Sequence, residues 1–600
     1  MVKKCKQDEQ DSGKTGPQWP CRWFVLYFVS ELSPDPKLLR RLEERRLSNT
    51  MKTLVPVVLA LFVRLSVLAQ DANAVPGPGP APKLVVGIVV DQMRYDFIYR
   101  FWARYGEDGF KRLIHQGAFY RNAEFNYVPT FTGPGHACIF TGATPSSHGI
   151  VGNDWYDRTL GKSVYCVADD DCAPVGADNA RDGKMSPRRL LVTTITDELK
   201  LAGNMLPKVI GLSLKDRAAI LPAGHLADAA YWFDDGTGRW ITSTYYLKHL
   251  PAWAAGFNSS NRAEMYLQQT WTNLADYTEG LPNGNPFEKK LTPNETHAGF
   301  PHHLPPLFAA ERANRYGLIR FTPFGDCLTE DFAEAAVRGE NLGRRGPTDF
   351  LTINFASTDY AGHKFGPRSM EVEDVYVRMD QTLAGFLDFL DAWVGKTNVI
   401  VFLTADHGVA DVPEYSRASR LPGGIFHQNQ MKTNLAARLQ EKYGRSLIQG
   451  YINQQIYLDA NTIASLKLDR AEVERDIRDW LLLEEGVADV VSSRDVNKEA
   501  ASNALLADVA SGIYPSRSGD LTILLQSGWT EEGDALTATT HGTPYQYDTH
   551  VPLLFWGWRI PNLICDEPVT ATEIAPTLCQ LLNIQFPSAS ANRILPGLCR

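Results

Sequence analysis

LVVGIVVD, Leu84 to Asp91, is seven uncharged residues closed by an acid. An apolar run of this kind without polar alternation fits a strand buried on both faces of a parallel sheet, because a half-exposed strand would alternate. Runs of the same character recur at Val209 to Ser213, Phe350 to Phe355, Val399 to Leu403, Leu521 to Leu525 and Val551 to Trp556. Between two of them, Val372, Val375, Met379, Leu383, Phe386, Leu390 and Trp393 repeat at helical spacing, which predicts an amphipathic crossover helix. Strand, helix, strand at both ends of the chain predicts an α/β fold with a central, mostly parallel sheet flanked by helices.

That domain is expected over residues 84–600, with two insertions. Residues 225–345 are rich in aromatics (Tyr231, Trp232, Phe233, Trp240, Tyr245, Tyr246, Trp253) and read as a cap over the sheet's working edge. Residues 425–515, with short strands and a polar helix around Arg470 to Leu483, read as the second. Upstream, MKTLVPVVLALFVRLSVLAQDANA (51–74) has the basic start, apolar run and small residues of a secretory signal peptide. Arg64 limits its apolar core to about ten residues, too short for a stable membrane span. Residues 1–50 then read as an extension upstream of the natural start at Met51, and 75–83 as a stiff Pro/Gly linker. The expected location is across the inner membrane, periplasmic or extracellular. There Cys166 and Cys172, which bracket an Asp-rich loop, either pair or remain buried thiols.

A formal net charge of -9 excludes a general nucleic-acid binder, whose affinity comes from clustered Lys and Arg. Any phosphate must be gripped locally. In open α/β sheets ligands bind beyond the carboxyl ends of the strands, and the acids and imidazoles stand at those ends. Asp91 follows the first strand, Asp359 and His363 follow Phe355, Asp406 and His407 follow Leu403, and His541 precedes the last strand. A single Asp or His is ordinarily a cap or a satisfied polar group, but six at strand ends form a ligand set. Oxygen and imidazole donors without a thiolate suit zinc, and six are too many for one tetrahedral ion. Two Zn2+ ions about 4 Å apart would serve in-line displacement at phosphorus. Thr132 is placed where a helix begins, as an N-cap or as a nucleophile activated by metal. Asn153 offers an amide to a phosphoryl oxygen, and Lys215 and Arg217, read as lying on one side of an extended segment, offer two cations.

Six blocks carry a family resemblance: VVDQMRYD (89–96), PTFTGPGHACIFTGATPSSHGIVGN (129–153), SLKDRAAILPAGH (213–225), STDYAGHKFGP (357–367), TADHG (404–408) and THGTPYQYDTHVPLLFWG (540–557). Together they resemble the alkaline phosphatase superfamily, and within it the secreted bacterial phosphate-irrepressible alkaline phosphatases. The resemblance implies one zinc on Asp359, His363 and His541, and a second on Asp91, Asp406 and His407 beside the nucleophile Thr132. It further implies phosphoryl binding by Asn153, Lys215 and Arg217, a broad range of small phosphate monoesters as substrates, and a monomer. The related phosphodiesterases and nucleotide pyrophosphatases lack the Lys-x-Arg pair at this place, so that pair favours the doubly charged monoester. A sulfatase would need an oxidisable Cys or Ser at position 132, and a non-catalytic phosphate-binding surface protein would leave the full ligand set unexplained.

Overall fold

The computed structural model describes residues 81–599 apart from 178–181, 277–278 and 534–536. Eight strands carry the main sheet: β1 (Leu84–Val90), β2 (Ala118–Glu124), β3 (Val209–Ser213), β4 (Ala229–Asp234), β5 (Arg239–Ser243), β6 (Asp349–Phe355), β7 (Val399–Thr404) and β8 (His550–Gly557). Their spatial order is β2-β8-β7-β1-β6-β3-β4-β5, extended by short strands at both edges to eleven. The five central strands from β7 to β4 run parallel, while β8 and β5 are antiparallel to their neighbours. Every residue of β1 is buried, which is why its sequence shows no alternation. Its Gly87 is required by a close approach, because a Cβ there would lie 2.7 Å from the Phe402 ring.

Five helices carry the candidate residues or pack beside those that do: α1 (Thr132–Thr141), α2 (Asp216–Ala223), α3 (Pro323–Gly339), α4 (Ser357–Phe365) and α5 (Met370–Trp393). The stripe read from sequence is the inner face of α5, with Val372, Val375, Met379, Leu383, Phe386 and Leu390 buried. Fully burying side chains of this size contributes about 1.5–3 kcal/mol each. Ser369 starts the helix by accepting from the Val372 N–H at 3.1 Å.

Two expectations change. Leu521–Leu525 belongs to a separate antiparallel four-stranded sheet with Ile448–Ile452, Gln455–Leu458 and Val487–Ser492. That sheet shares a core with helices Gln428–Tyr443 and Arg470–Leu481. An apolar run reports burial on both faces, not which sheet provides it. Second, Tyr231, Trp232, Phe233 and Trp240 sit in β4 and β5 of the main sheet and α3 packs beside α5, so the added material in the first insertion is 244–322. Of the two readings left open for Cys166 and Cys172, the structure has the second: both are buried free thiols. The readings of 1–50, 51–74 and 75–80 lie outside the described residues; Lys83 already joins the sheet, its N–H donating to the Asn398 carbonyl at 2.7 Å. Among the described residues no helix is long and apolar enough to cross a membrane.

One buried ion group fastens the first insertion to α5. The His302 imidazole, fully buried, lies 2.7 Å from Glu295 Oε1 and 3.4 Å from Glu371 Oε1 at the start of α5. Burial opposes its proton, but the two glutamates outweigh burial and raise the pKa to about 9. A folded pKa above the unfolded value of 6.5 means stability fully present below about 6.5 and lost as pH rises through about 9. The shift corresponds to at most roughly 3 kcal/mol. Thermal unfolding followed from pH 6 to 10 should therefore show a decline in the native chain that His302→Gln flattens. Parallel curves would remove the latch.

Candidate active site

The sheet's topology brings the candidate residues to one edge. β1, β6, β7 and β3 are parallel, so Asp91, Asp359 with His363, Asp406 with His407, and Lys215 with Arg217 leave the same carboxyl end. β2 is antiparallel to β8 and β8 to β7, so β2 also points to this edge and leads to Thr132, while β8 starts there just after His541. All of these residues except Asn153, Arg217 and His363 are buried.

Among the described residues, two groups of ligand atoms are tight enough to hold an ion, Asp91-Asp406-His407 and Asp359-His407-His541, each within 4.8 Å. His407 thus borders both, its ring stacked on His541 at 3.5 Å between centroids. His363, which sequence grouped with Asp359 and His541, has Nε2 3.2 Å from Asp359 Oδ1. The three imidazoles share one arrangement. Nδ1 of His363 meets the Thr539 carbonyl at 2.8 Å, Nδ1 of His407 the Gly408 carbonyl at 2.9 Å, and Nδ1 of His541 the Thr130 carbonyl at 2.7 Å. A carbonyl only accepts, so each Nδ1 carries a hydrogen and each Nε2 is the ring atom turned toward the site. Asp91 Oδ1 and Asp406 Oδ2 are buried without a hydrogen bond. Buried carboxylate oxygens of this kind demand a cation, so the donor set fits divalent metal.

Electrostatics point the same way. Burial, then the neighbouring Asp406, pushes the Asp91 carboxyl up to about 7. Burial opposes the charge on Asp359 too, but Lys215 and His363 hold it well below the usual carboxylate range. Burial together with His407 and His363 pushes His541 well below its ordinary value, keeping it neutral as a ligand must be.

Thr132 opens α1, and its Oγ1 is 3.4 Å from His407 Nε2 and 3.3 Å from an Arg217 guanidinium nitrogen. Asn153 Oδ1 accepts from the Gly133 N–H at 2.8 Å, so its NH2 end is left for a ligand. Lys215 Nζ donates to Asp91 at 2.8 Å and to Asp359 at 2.6 Å, joining a carboxylate of each group. Lys215 caps α2 and Arg217 lies in its first turn, rather than on one extended segment, because Asp216 starts a helix directly after β3. Sequence reading passed over three supports. Tyr165 accepts from Arg217 at 3.1 Å and donates to Asp216 at 2.5 Å; His136, four residues after Thr132, lies 3.3 Å from Asp406; Asn453, from the second insertion, donates to the Asp154 carbonyl at 2.7 Å. Only His136 carried a signal, its i,i+4 spacing on α1.

The first insertion walls the approach. A cavity of about 410 Å³ is lined by Thr292, Asn314, Arg320, Tyr360, His363 and Lys364 among others, and a second of about 320 Å³ by Lys215, Arg217, Tyr165 and Tyr360.

A fold and edge of this description define a class. The type I phosphodiesterase/nucleotide pyrophosphatase family model matches residues 85–548, and the chain belongs to that family. Within it, the chain is 45% identical over 529 residues to alkaline phosphatase PafA of Elizabethkingia meningoseptica, covering 88% of this chain and 95% of PafA. It is 40% identical to alkaline phosphatase PhoV of Synechococcus elongatus, covering 86% and 93%. The crystal structure of wild-type PafA superposes with a TM-score of 0.83 at 44% identity, over 87% of this chain and 99% of PafA. A PafA variant substituted at a threonine, an asparagine, a lysine and an arginine superposes equally, at 43% identity over the same shares.

Packing around the ligands is tight enough to test. A Cβ on Gly135 would lie 2.3 Å from the Asp406 carbonyl oxygen and 2.9 Å from its Cβ, neither of which can give cheaply. Gly135→Ala should displace Asp406 and lower turnover by about 10²-fold or more, with bound metal falling in parallel by elemental analysis. Unchanged turnover and metal content would show that Asp406 has room to move.

Proposed function

We propose that the chain hydrolyses phosphate monoesters through a covalent phosphothreonine on Thr132, with one zinc on Asp359, His363 and His541 and another on Asp91, Asp406 and His407. The observation that carries this is the position of Thr132 Oγ1, between the His407 imidazole and the Arg217 guanidinium at a helix start. Support also comes from PafA. The four residues substituted in its variant stand at intervals of 21, 62 and 2, the intervals that separate Thr132, Asn153, Lys215 and Arg217.

Zinc at these ligands lowers the pKa of an attacking hydroxyl and balances charge on the attacking and leaving oxygens. The chain's own residues do the rest. The Thr132 hydroxyl gives its proton to solvent as Oγ1 attacks phosphorus, the bond to the ester oxygen breaks, and the leaving alkoxide takes up a proton from solvent to depart as the alcohol. Water then attacks the phosphothreonine, releasing inorganic phosphate and restoring the hydroxyl. Arg217, held by Tyr165, and the NH2 group of Asn153, held by Gly133, orient the phosphoryl oxygens. Lys215 offsets the charge of Asp91 and Asp359 and adds attraction for a dianion. A broad substrate range accords with cavities whose walls are mixed polar and aromatic. The 51–74 leader is taken to export the chain, which would work as a monomer outside the cytoplasm.

The family name favours a second reading, diester or pyrophosphate cleavage at the same centre. The Lys215-Arg217 pair argues for the monoester, which carries one more negative charge and a third free oxygen.

Two measurements test the reading. Chelation should abolish turnover of a chromogenic monoester, zinc should restore it, and the active protein should carry two zinc ions per chain; full activity after chelation would remove the two-metal mechanism and revive a merely phosphate-binding role. Separately, Lys215→Ala with Arg217→Ala should slow monoester hydrolysis by about 10²-fold or more and diester hydrolysis far less. Thr132→Ala should remove both activities. Equal losses in the double variant would make the pair structural and shift the assignment to diesters.

A further inference from the structure

Gln92 follows Asp91, is 1% exposed, and holds a φ of +64°, a left-handed conformation unusual for a residue with a long side chain. Such a backbone persists only where the surroundings over-determine it. Here the surroundings are the ligands. The Gln92 backbone N–H donates to Asp406 Oδ1 at 3.1 Å, and its side-chain amide donates to Asp359 Oδ1 at 2.7 Å. One residue therefore holds a carboxylate from each ligand set. α4 makes room for it: a Cβ on Gly362, between Asp359 and His363, would come within 1.8 Å of Gln92 Oε1. From α5, the Tyr376 hydroxyl donates to the Gln92 carbonyl at 3.5 Å.

Asp359 Oδ1 is also the oxygen that faces the imidazoles, 3.2 Å from His363 Nε2 and 3.9 Å from His541 Nε2. A carboxylate oxygen has two lone pairs, so a donor on one fixes where the other points. We infer that Gln92 is a positioning residue, clamping one carboxylate of each metal set, and that its side chain sets how firmly the ion on Asp359, His363 and His541 is held. This rests on the two-metal reading. Outer partners of metal ligands commonly change affinity by about 10–100-fold. The effect is asymmetric, because the side chain reaches Asp359 alone whereas Asp406 is held by the peptide N–H, which substitution leaves in place.

The test is zinc release rather than turnover. Gln92→Met keeps length and burial but removes the donor, and Gly362→Ala drives the amide off Asp359 without touching it. Each zinc-loaded protein is mixed with excess chelator and release is followed with a zinc indicator, with circular dichroism confirming the fold. From both variants one of the two ions should leave at least about tenfold faster and the other at the native rate. If Gly362→Ala does not fold, Gln92→Met decides alone. Native release of both ions from Gln92→Met, or equal acceleration of both, overturns the assignment while leaving the two-metal reading intact. A native chain that never holds two ions overturns both.

Discussion

Three buried carboxylates, Asp91, Asp359 and Asp406, converge at one sheet edge, and the rest of the site is arranged to make that tolerable. Like charges out of water are costly unless paired, and each acid has its own compensation. Asp359 has Lys215 and His363, Asp406 lies beside His136 and His407, and Asp91 shares Lys215, while Asp91 Oδ1 and Asp406 Oδ2 make no hydrogen bond. A centre so short of positive charge attracts cations first and can then turn their surplus toward a dianionic ester. The same arrangement accounts for tethered imidazoles, since a ring anchored through Nδ1 cannot swing away when the site is empty of ligand.

The scaffold's part is to hold this strain on rigid elements. Asp91, Asp406 and His407 follow the neighbouring parallel strands β1 and β7 within one to three residues, so the sheet's pairing fixes their spacing more closely than loops could. Asp359 and His363 gain the same rigidity from one turn of α4, and Thr132 from the start of a wholly buried α1.

Much of this was legible beforehand because it depends on periodicity and strand ends. Two-sided burial makes β1 wholly apolar and β3, β6 and β7 mostly so, and the acids that follow stand out against them. What stayed illegible depends on partners far apart in sequence. The run 521–525 looks like a central strand but is buried by the second insertion's helices. The aromatics of β4 and β5 resemble a cap's because edge strands also bury rings. Neither the Tyr165 contact with Arg217 nor the approach of Asn453 to Asp154 has any spacing signature, since each joins elements that only the folded chain brings together.

The order of those elements along the chain has a kinetic consequence. β1 lies beside β7, which begins more than 300 residues later, and β7 lies beside β8, which begins about 150 residues later again. Loops of that length close slowly, and the ligand constellation is complete only when β8 has docked and brought His541 to the edge. Until then the chain presents isolated acids and imidazoles rather than a site. Enzymatic competence therefore arrives last in folding, and a chain emerging in its N-to-C direction would be inert until almost all of it had been delivered.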